Sequence, residues 1–503
     1  MTPNDAYEWL VHHYTDTAYL FSTAELIAWD QRTYIPKGGH AHRSRQMEAL
    51  ARLIHQRVTN SKINDCLSIL EQNEYLTQGA VEMQANVRMW RRDYDRQTKI
   101  PESLASSLAG ASSAGESAWE VAVHNDDWDA FLPHLELLLS LSKEKADAIG
   151  YESEAYDALL DEYEIGLTTG ALCDLYDELR TPLTQLLKRI AQSPVKPRAD
   201  IFKGRFPVEK QKTVCAKLVE AIGYSFETGR IDESVHPFSV GIGPGDSRIT
   251  TRYNEHLLGS GLFGCLHEAG HSLYELGLPQ AHYGTPAGMY LSLGVHESQS
   301  RLWENQVGRS EAFWRFAKPI LDDAFPSVSE ASLDEMVLAV NEVSPGLIRV
   351  EADEVSYNLH VMIRFELELA MFRNQLKPSE LPGAWADKME AFLGVRPKTA
   401  KEGAMQDIHW AAGIFGYFPT YSIGNIYAAQ LFAAAGKQLD DFDESLAVGR
   451  FEPLLQWLRT HVHEKGQCLL PSELIRQATG ELPSSRFFME YCEKKYAALY
   501  RLS

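Results

Sequence analysis

The chain has 503 residues, 45% of them apolar, and a formal charge of 48 − 69 = −21. That length builds a large core without disulfide staples, and so acidic a surface repels phosphate backbones, which argues against nucleic acid as a partner. The six cysteines (Cys66, Cys173, Cys215, Cys265, Cys468 and Cys492) form no CxxC pair, so reduced thiols are expected, and no run of about 18 apolar residues is present to span a membrane.

The N-terminal MTPNDAYEWLVHHY lacks a basic segment followed by an apolar one, so no signal peptide is expected and a cytoplasmic location follows. From residue 5 to 60 apolar residues recur at helical spacing (Tyr7, Leu10, Tyr14; Met47, Leu50, Leu53, Ile54), with a break at 34–39. Pro101 opens another helix, and helical patterns continue over 128–148, 170–191 and 208–222. Residues 230–253 differ: they are rich in β-branched residues around Gly241-Ile-Gly-Pro-Gly245, which predicts a small antiparallel sheet of two strands. Helices resume over 332–343 and 347–372 and run on to the C-terminus. No linker, repeat or low-complexity tract divides the chain, so it reads as one mainly α catalytic domain over 1–503, at most two lobes around a cleft.

The chemistry concentrates at Cys265-Leu-His267-Glu268-Ala-Gly-His271. Four residues apart on a helix, His267 and His271 share a face and can converge on one ion, while Glu268 can reach a water at the ion's open position. Leu262, Leu266 and Leu273 bury the helix, and Cys265 points away as core. A catalytic zinc takes a third protein ligand, and no HExxHxxGxxH continuation supplies one. Glu297, 26 residues after His271, is the best candidate, with His296 and Glu304 competing.

These residues sit in a wider pattern that resembles the carboxypeptidase Taq family, the M32 metallocarboxypeptidases. Its His-Pro-Phe element is His236-Pro237-Phe238, its DxRxT is Asp246 to Thr250, and HExxH is His267 to His271. The HES(G/Q) element is His296-Glu297-Ser298-Gln299, and IRxxAD is Ile348 to Asp353, followed by Val355-Ser356 where the family has Leu-Thr. GxxQDxHW is Gly403 to Trp410, leading to Tyr417 and Tyr421. The resemblance implies a helical fold with a deep groove, zinc or cobalt held by His267, His271 and Glu297, a homodimer, and release of single residues from free peptide C-termini with broad side-chain tolerance.

Within that reading Glu268 is the general base. Tyr421 is the favoured oxyanion donor, Tyr417 the second choice, and His409 orients the substrate. Arg349 and Arg248 are the candidates for holding the substrate carboxylate, because a guanidinium forks onto one. Each has a structural alternative: Arg349 with Asp353 one helical turn along, and Arg248 with Asp246. His236 joins them as a substrate contact. An oligopeptidase cutting internal bonds is the nearest alternative; a metal scaffold without turnover is disfavoured by Glu268 beside an open position.

Overall fold

The computed structural model describes residues 1–72, 79–198 and 200–502. Helix α1 (Pro3–Thr33) begins at a capping box in which the Thr2 hydroxyl accepts from Asp5 N (3.2 Å) and the Asp5 carboxylate accepts from Thr2 N (2.9 Å). It is followed by α2 (His40–Val58), α3 (Ser61–Glu71), α4 (Val81–Lys99), α5 (Glu102–Asn125), α6 (Trp128–Ile149), α7 (Ala155–Tyr163), α8 (Thr169–Gln192) and α9 (Val208–Ala221). A short sheet comes next, then α10 (Leu258–Gly277) and α11 (Leu293–Arg301), which runs directly into a π turn over Leu302–Val307. The π turn is marked by Gly308 N donating to Trp303 O five residues back, at 3.0 Å. Beyond it lie α12 (Glu311–Ala324), α13 (Pro326–Ser329), α14 (Leu333–Val340), α15 (Glu354–Phe372), α16 (Leu381–Leu393) and α17 (Pro419–Gln438), with four further helices to Tyr500.

The sheet differs from the two-stranded antiparallel one expected. β2 (Ser239–Gly243) and β3 (Asp246–Thr251) form the antiparallel hairpin, but β1 (Ile231–Glu233) pairs parallel with the other side of β3, giving the order β1-β3-β2. Three residues are too few to leave a period-two signal, and the pairing is secured from outside: the Tyr224 hydroxyl lies 3.0 Å from Arg230 O and 2.8 Å from Ser247 O. Thr250 fastens the His-Pro-Phe segment to this sheet, its hydroxyl accepting from Phe238 N (2.9 Å) while its own N–H donates to Phe238 O (2.8 Å).

The helix expected over 347–372 begins later, at Glu354. Asp353 caps it, its carboxylate accepting from Val355 N and Ser356 N at 3.0 Å each, and Arg349–Glu351 form a separate short turn. Arg349 and Asp353 are therefore not neighbours along one helix. One large core unites most of the helices, whereas Ala6 and Leu10 of α1, Ile63, Leu67 and Leu70 of α3, and Val87 and Trp90 of α4 enclose a small core of their own. All six cysteines are free thiols, and among the described residues no helix is long and apolar enough to cross a membrane.

Asp353→Ala removes the acceptor from the start of α15 and should cost about 1–2 kcal/mol. A lowered midpoint of chemical denaturation with Arg349 still in place is the expected result; an unchanged midpoint contradicts the capping role.

Candidate metal centre

Helix α10 buries Leu262, Leu266, Ala269 and Leu273 in the core and turns His267, Glu268 and His271 toward a cavity. The third group arrives because α11 presses backbone to backbone on α10. A Cβ on Gly270 would lie 2.6 Å from Gln299 O and 2.7 Å from the Ser300 Cα, so only glycine admits this approach. On the other side α17 closes in at Gly424, where a Cβ would lie 2.4 Å from the Glu297 Cγ. Glu297 is thereby delivered to the histidines: its Oε2 is 3.7 Å from His267 Nε2 and 3.4 Å from His271 Nε2. Ligand atoms of all three residues lie within 4.8 Å of one another.

Each of the three is held from behind. His267 Nδ1 meets Glu304 Oε2 at 2.9 Å, and His271 Nδ1 meets His296 Nδ1 at 2.6 Å. Glu297 Oε1 accepts from Arg301 Nε at 2.6 Å, and its Oε2 accepts from the Ser300 hydroxyl at 3.1 Å. His296 and Glu304, the two competing ligand candidates, are thus partners of the histidines. Both Nε2 atoms are left facing Glu297.

The electrostatics favour a cation. Burial, with the charges of Glu297 and Glu304 nearby, raises the Glu268 carboxyl to about 7. Burial disfavours a charged His267, yet the carboxylates of Glu297, Glu304 and Glu268 outweigh it and raise that imidazole to about 8. Burial lowers His271 to about 3. Glu297 is held well below the usual carboxylate range, its burial overcome chiefly by Arg301 and His267.

The cavity, of about 1180 Å³, is bounded by α1 and α4 on one side and by α10, α11 and the start of α17 on the other. His267, Glu268, His271, Glu297, Tyr417 and Tyr421 line it, as does β2, the edge strand of the sheet. Three expected substrate contacts are not brought to this wall. Arg248 is on the central strand β3, forked onto Asp246 (2.7 and 2.8 Å), with its guanidinium 4.4 Å from the Trp29 ring centre. His236 is exposed on the segment before β2, where Pro237 and Phe238 do the lining. Arg349 is only 4% exposed, donating to Asp407 Oδ1 from Nε (3.1 Å) and Nη2 (2.7 Å) and to the Tyr357 hydroxyl (2.8 Å). It stands behind the wall, 4.7 Å from the Tyr421 ring centre. His409, expected to orient the substrate, does not line the cavity either: it is buried, its Nε2 3.1 Å from the Tyr421 hydroxyl.

The family model of the carboxypeptidase Taq (M32) metallopeptidases matches residues 10–496. The chain belongs to that family. It is 50% identical to thermostable carboxypeptidase 1 of Thermus thermophilus, over 99% of this chain and all of the relative, and 38% identical to carboxypeptidase 1 of Bacillus subtilis, over 98% and 97%. The crystal structure of an M32 carboxypeptidase from Deinococcus radiodurans superposes with a TM-score of 0.96 at 36% identity, covering 99% of this chain and all of the other. An M32 enzyme is a metallocarboxypeptidase with a divalent metal and peptide substrates, and the donor set fits such an ion. A tetrahedral site with bonds near 2.0–2.1 Å spaces its ligand atoms by about 3.3 Å, close to the separations across Glu297 Oε2.

Several residues of this M32 site went unnoticed in the sequence although their spacing was informative. Glu275 is eight residues after His267 and shares the histidines' helix face; Arg301 is four after Glu297. Arg364 and the cavity walls from α1 and α4 carried no local signal, because only chain crossing brings them in. Gly270→Ala should push α11 away from α10 and weaken divalent-metal binding by at least about 10-fold, the scale of a disturbed ligand shell. Chelator competition measures it; wild-type affinity would mean that the two helices separate without moving Glu297.

Proposed function

We propose that the chain releases single amino acids from the free C-termini of peptides, with broad side-chain tolerance, using Glu268 as general base. The observation that carries this reading is Glu268 beside a convergent His267, His271 and Glu297 on the wall of a cavity large enough for a peptide end. An ion held by those three residues, zinc with cobalt as the alternative, would polarise the scissile carbonyl and acidify a water.

The chain's own groups account for the rest. A Glu268 carboxyl raised toward 7 by its burial is poised to take a proton from water and pass it to the leaving amine. The peptide is read as lying along β2, whose free edge offers backbone donors and acceptors. Tyr421 is the proposed oxyanion donor. Among the described residues the buried His409 Nδ1 has no hydrogen-bond partner. A stranded N–H costs more than a stranded lone pair, so the proton belongs on Nε2, donated to the Tyr421 oxygen, which leaves the phenol's own hydrogen for Tyr417 or for substrate. Tyr417 lies alongside, ring centres 5.4 Å apart.

Carboxylate recognition is assigned to charge behind the wall. Arg349 and Arg364 share the single carboxylate of Asp407, with nitrogen–oxygen distances of 2.7 and 2.6 Å, so one positive charge is left over beneath Tyr421. Burial notwithstanding, the two guanidiniums hold Asp407 well below the usual carboxylate range. A terminal carboxylate is drawn to that surplus, and an amide is not. The reading carries with it a homodimer, on family likeness, and, on the sequence pattern, a single catalytic domain in a cytoplasmic setting.

Glu268→Gln should keep the metal and lose about 10²–10⁴-fold in kcat; near-normal turnover with metal retained removes Glu268 as the base. Arg349→Ala should lower kcat/KM on free-acid peptides by at least about 30-fold, the equivalent of about 2 kcal/mol. C-terminally amidated peptides should be affected far less, and Asp407 keeps Arg364 as partner. Equal losses on acid and amide would show that Arg349 acts only on structure, and efficient cleavage of blocked peptides by the wild type would favour an oligopeptidase.

A further inference from the structure

The cavity face of α10 carries a third ionisable residue in register with the two histidines. Glu275 lies one turn beyond His271, and its Oε1 is 2.9 Å from Nε2 of His296. The other nitrogen of His296 is the one 2.6 Å from His271 Nδ1. Glu275, His296 and His271 therefore form one continuous chain that ends at a ligand nitrogen.

The protons in this chain have one consistent arrangement. Two bare nitrogens do not sit 2.6 Å apart, so a hydrogen lies between His271 and His296. A ligand nitrogen must be bare, and His271 Nε2 is the one that faces Glu297 at 3.4 Å. Its hydrogen is then on Nδ1, donated to His296 Nδ1. His296 in turn carries its hydrogen on Nε2 and donates it to the Glu275 carboxylate. A charged acceptor at the far end makes each step stronger than a neutral one.

The surroundings keep the intermediate ring in place. The Tyr274 and Tyr290 rings meet His296 edge-on, with centres at 5.2 and 5.0 Å. Glu275 is lodged against β2, where a Cβ on Gly241 would lie 2.8 Å from its Oε2. The glycine in that strand makes room for the carboxylate.

We propose that Glu275 and His296 are positioning residues for the metal centre: together they select the His271 tautomer that leaves Nε2 free and fix the direction in which it points. This rests on the reading of His267, His271 and Glu297 as the ligands. It predicts that Glu275, which touches no ligand itself, acts on the metal only through His296.

The test is zinc affinity by chelator competition on the zinc-loaded enzyme, with the visible spectrum of the cobalt form as a second readout. Glu275→Leu and His296→Leu should each weaken zinc by about 10- to 100-fold, the range for lost partners of metal-ligating histidines. At saturating zinc the loss should appear in kcat more than in KM, and the cobalt bands should shift. Glu275→Gln, which keeps an acceptor oxygen, should recover most of the affinity. The double leucine variant should be no weaker than His296→Leu alone, because the two act in series. Unchanged affinity in both single variants, or losses that multiply in the double variant, would overturn the proposal. If a leucine variant does not fold, Gly241→Ala takes its place. It displaces the Glu275 carboxylate from a neighbouring strand and should weaken zinc and shift the cobalt bands, while wild-type values for both count against the chain. His271→Ala is the control for the underlying assignment: if it binds zinc like wild type, the ligand set is at fault and not the positioning chain.

Discussion

Glu297 reaches two imidazoles on another helix because a glycine on each of the two flanking helices lets its backbone close in. Gly270 lets α11 lie on α10, and Gly424 lets α17 lie on α11, each at a distance no Cβ could share. Helices usually pack at 8–10 Å between axes with side chains interleaved. Here the interleaving is removed at two points, which brings a carboxylate attached to α11 within 3.4–3.7 Å of nitrogens attached to α10. The π turn that follows α11 continues the same approach, since it carries Glu304 to the rear of His267.

Bringing these groups together concentrates charge away from water, and the fold answers with a second cluster of the opposite sign. The anionic side holds Glu268, Glu297 and Glu304 against Arg301 and Arg309. The cationic side holds Arg349 and Arg364 against Asp407. Tyr357 joins them: the Arg301 guanidinium lies 4.4 Å from its ring centre, and its hydroxyl accepts from Arg349 at 2.8 Å. Buried charges persist only when paired and hydrogen-bonded. The second cluster is nevertheless left with a surplus, positive where a peptide carboxylate is proposed to sit.

The family motifs divide by this geometry into those that act and those that hold. HExxH and the Glu297 segment face the cavity. In the GxxQDxHW segment, Gln406 accepts from Arg349 N at 2.9 Å, Asp407 joins two arginines, and Trp410 Nε1 donates to the buried Glu368 at 2.7 Å. That segment is a scaffold beneath Tyr421. The Asp246–Arg248 fork and Trp29 likewise tie the sheet to α1, so that β2 is presented at the cavity and β3 is not.

The helical class, the meeting of His267 and His271, and the place of Glu268 beside them all depend on contacts within one or two turns, and spacing along the chain was enough to determine them. Helix starts at Thr169, Val208 and Leu333 fall within a residue of the periodic patterns for the same reason. The sequence left three downstream residues open as the third ligand until the family motif chose Glu297, and what His296 and Glu304 do instead depends on how two helices cross. Likewise a parallel partner for β3, the burial of Arg349 and the participation of α1 and α4 in the cavity are matters of long-range packing. No local pattern encodes them, because the same arginine beside the same motif could face a substrate or an aspartate 58 residues away. Only the completed fold, in which Asp407 is already at hand, decides between the two.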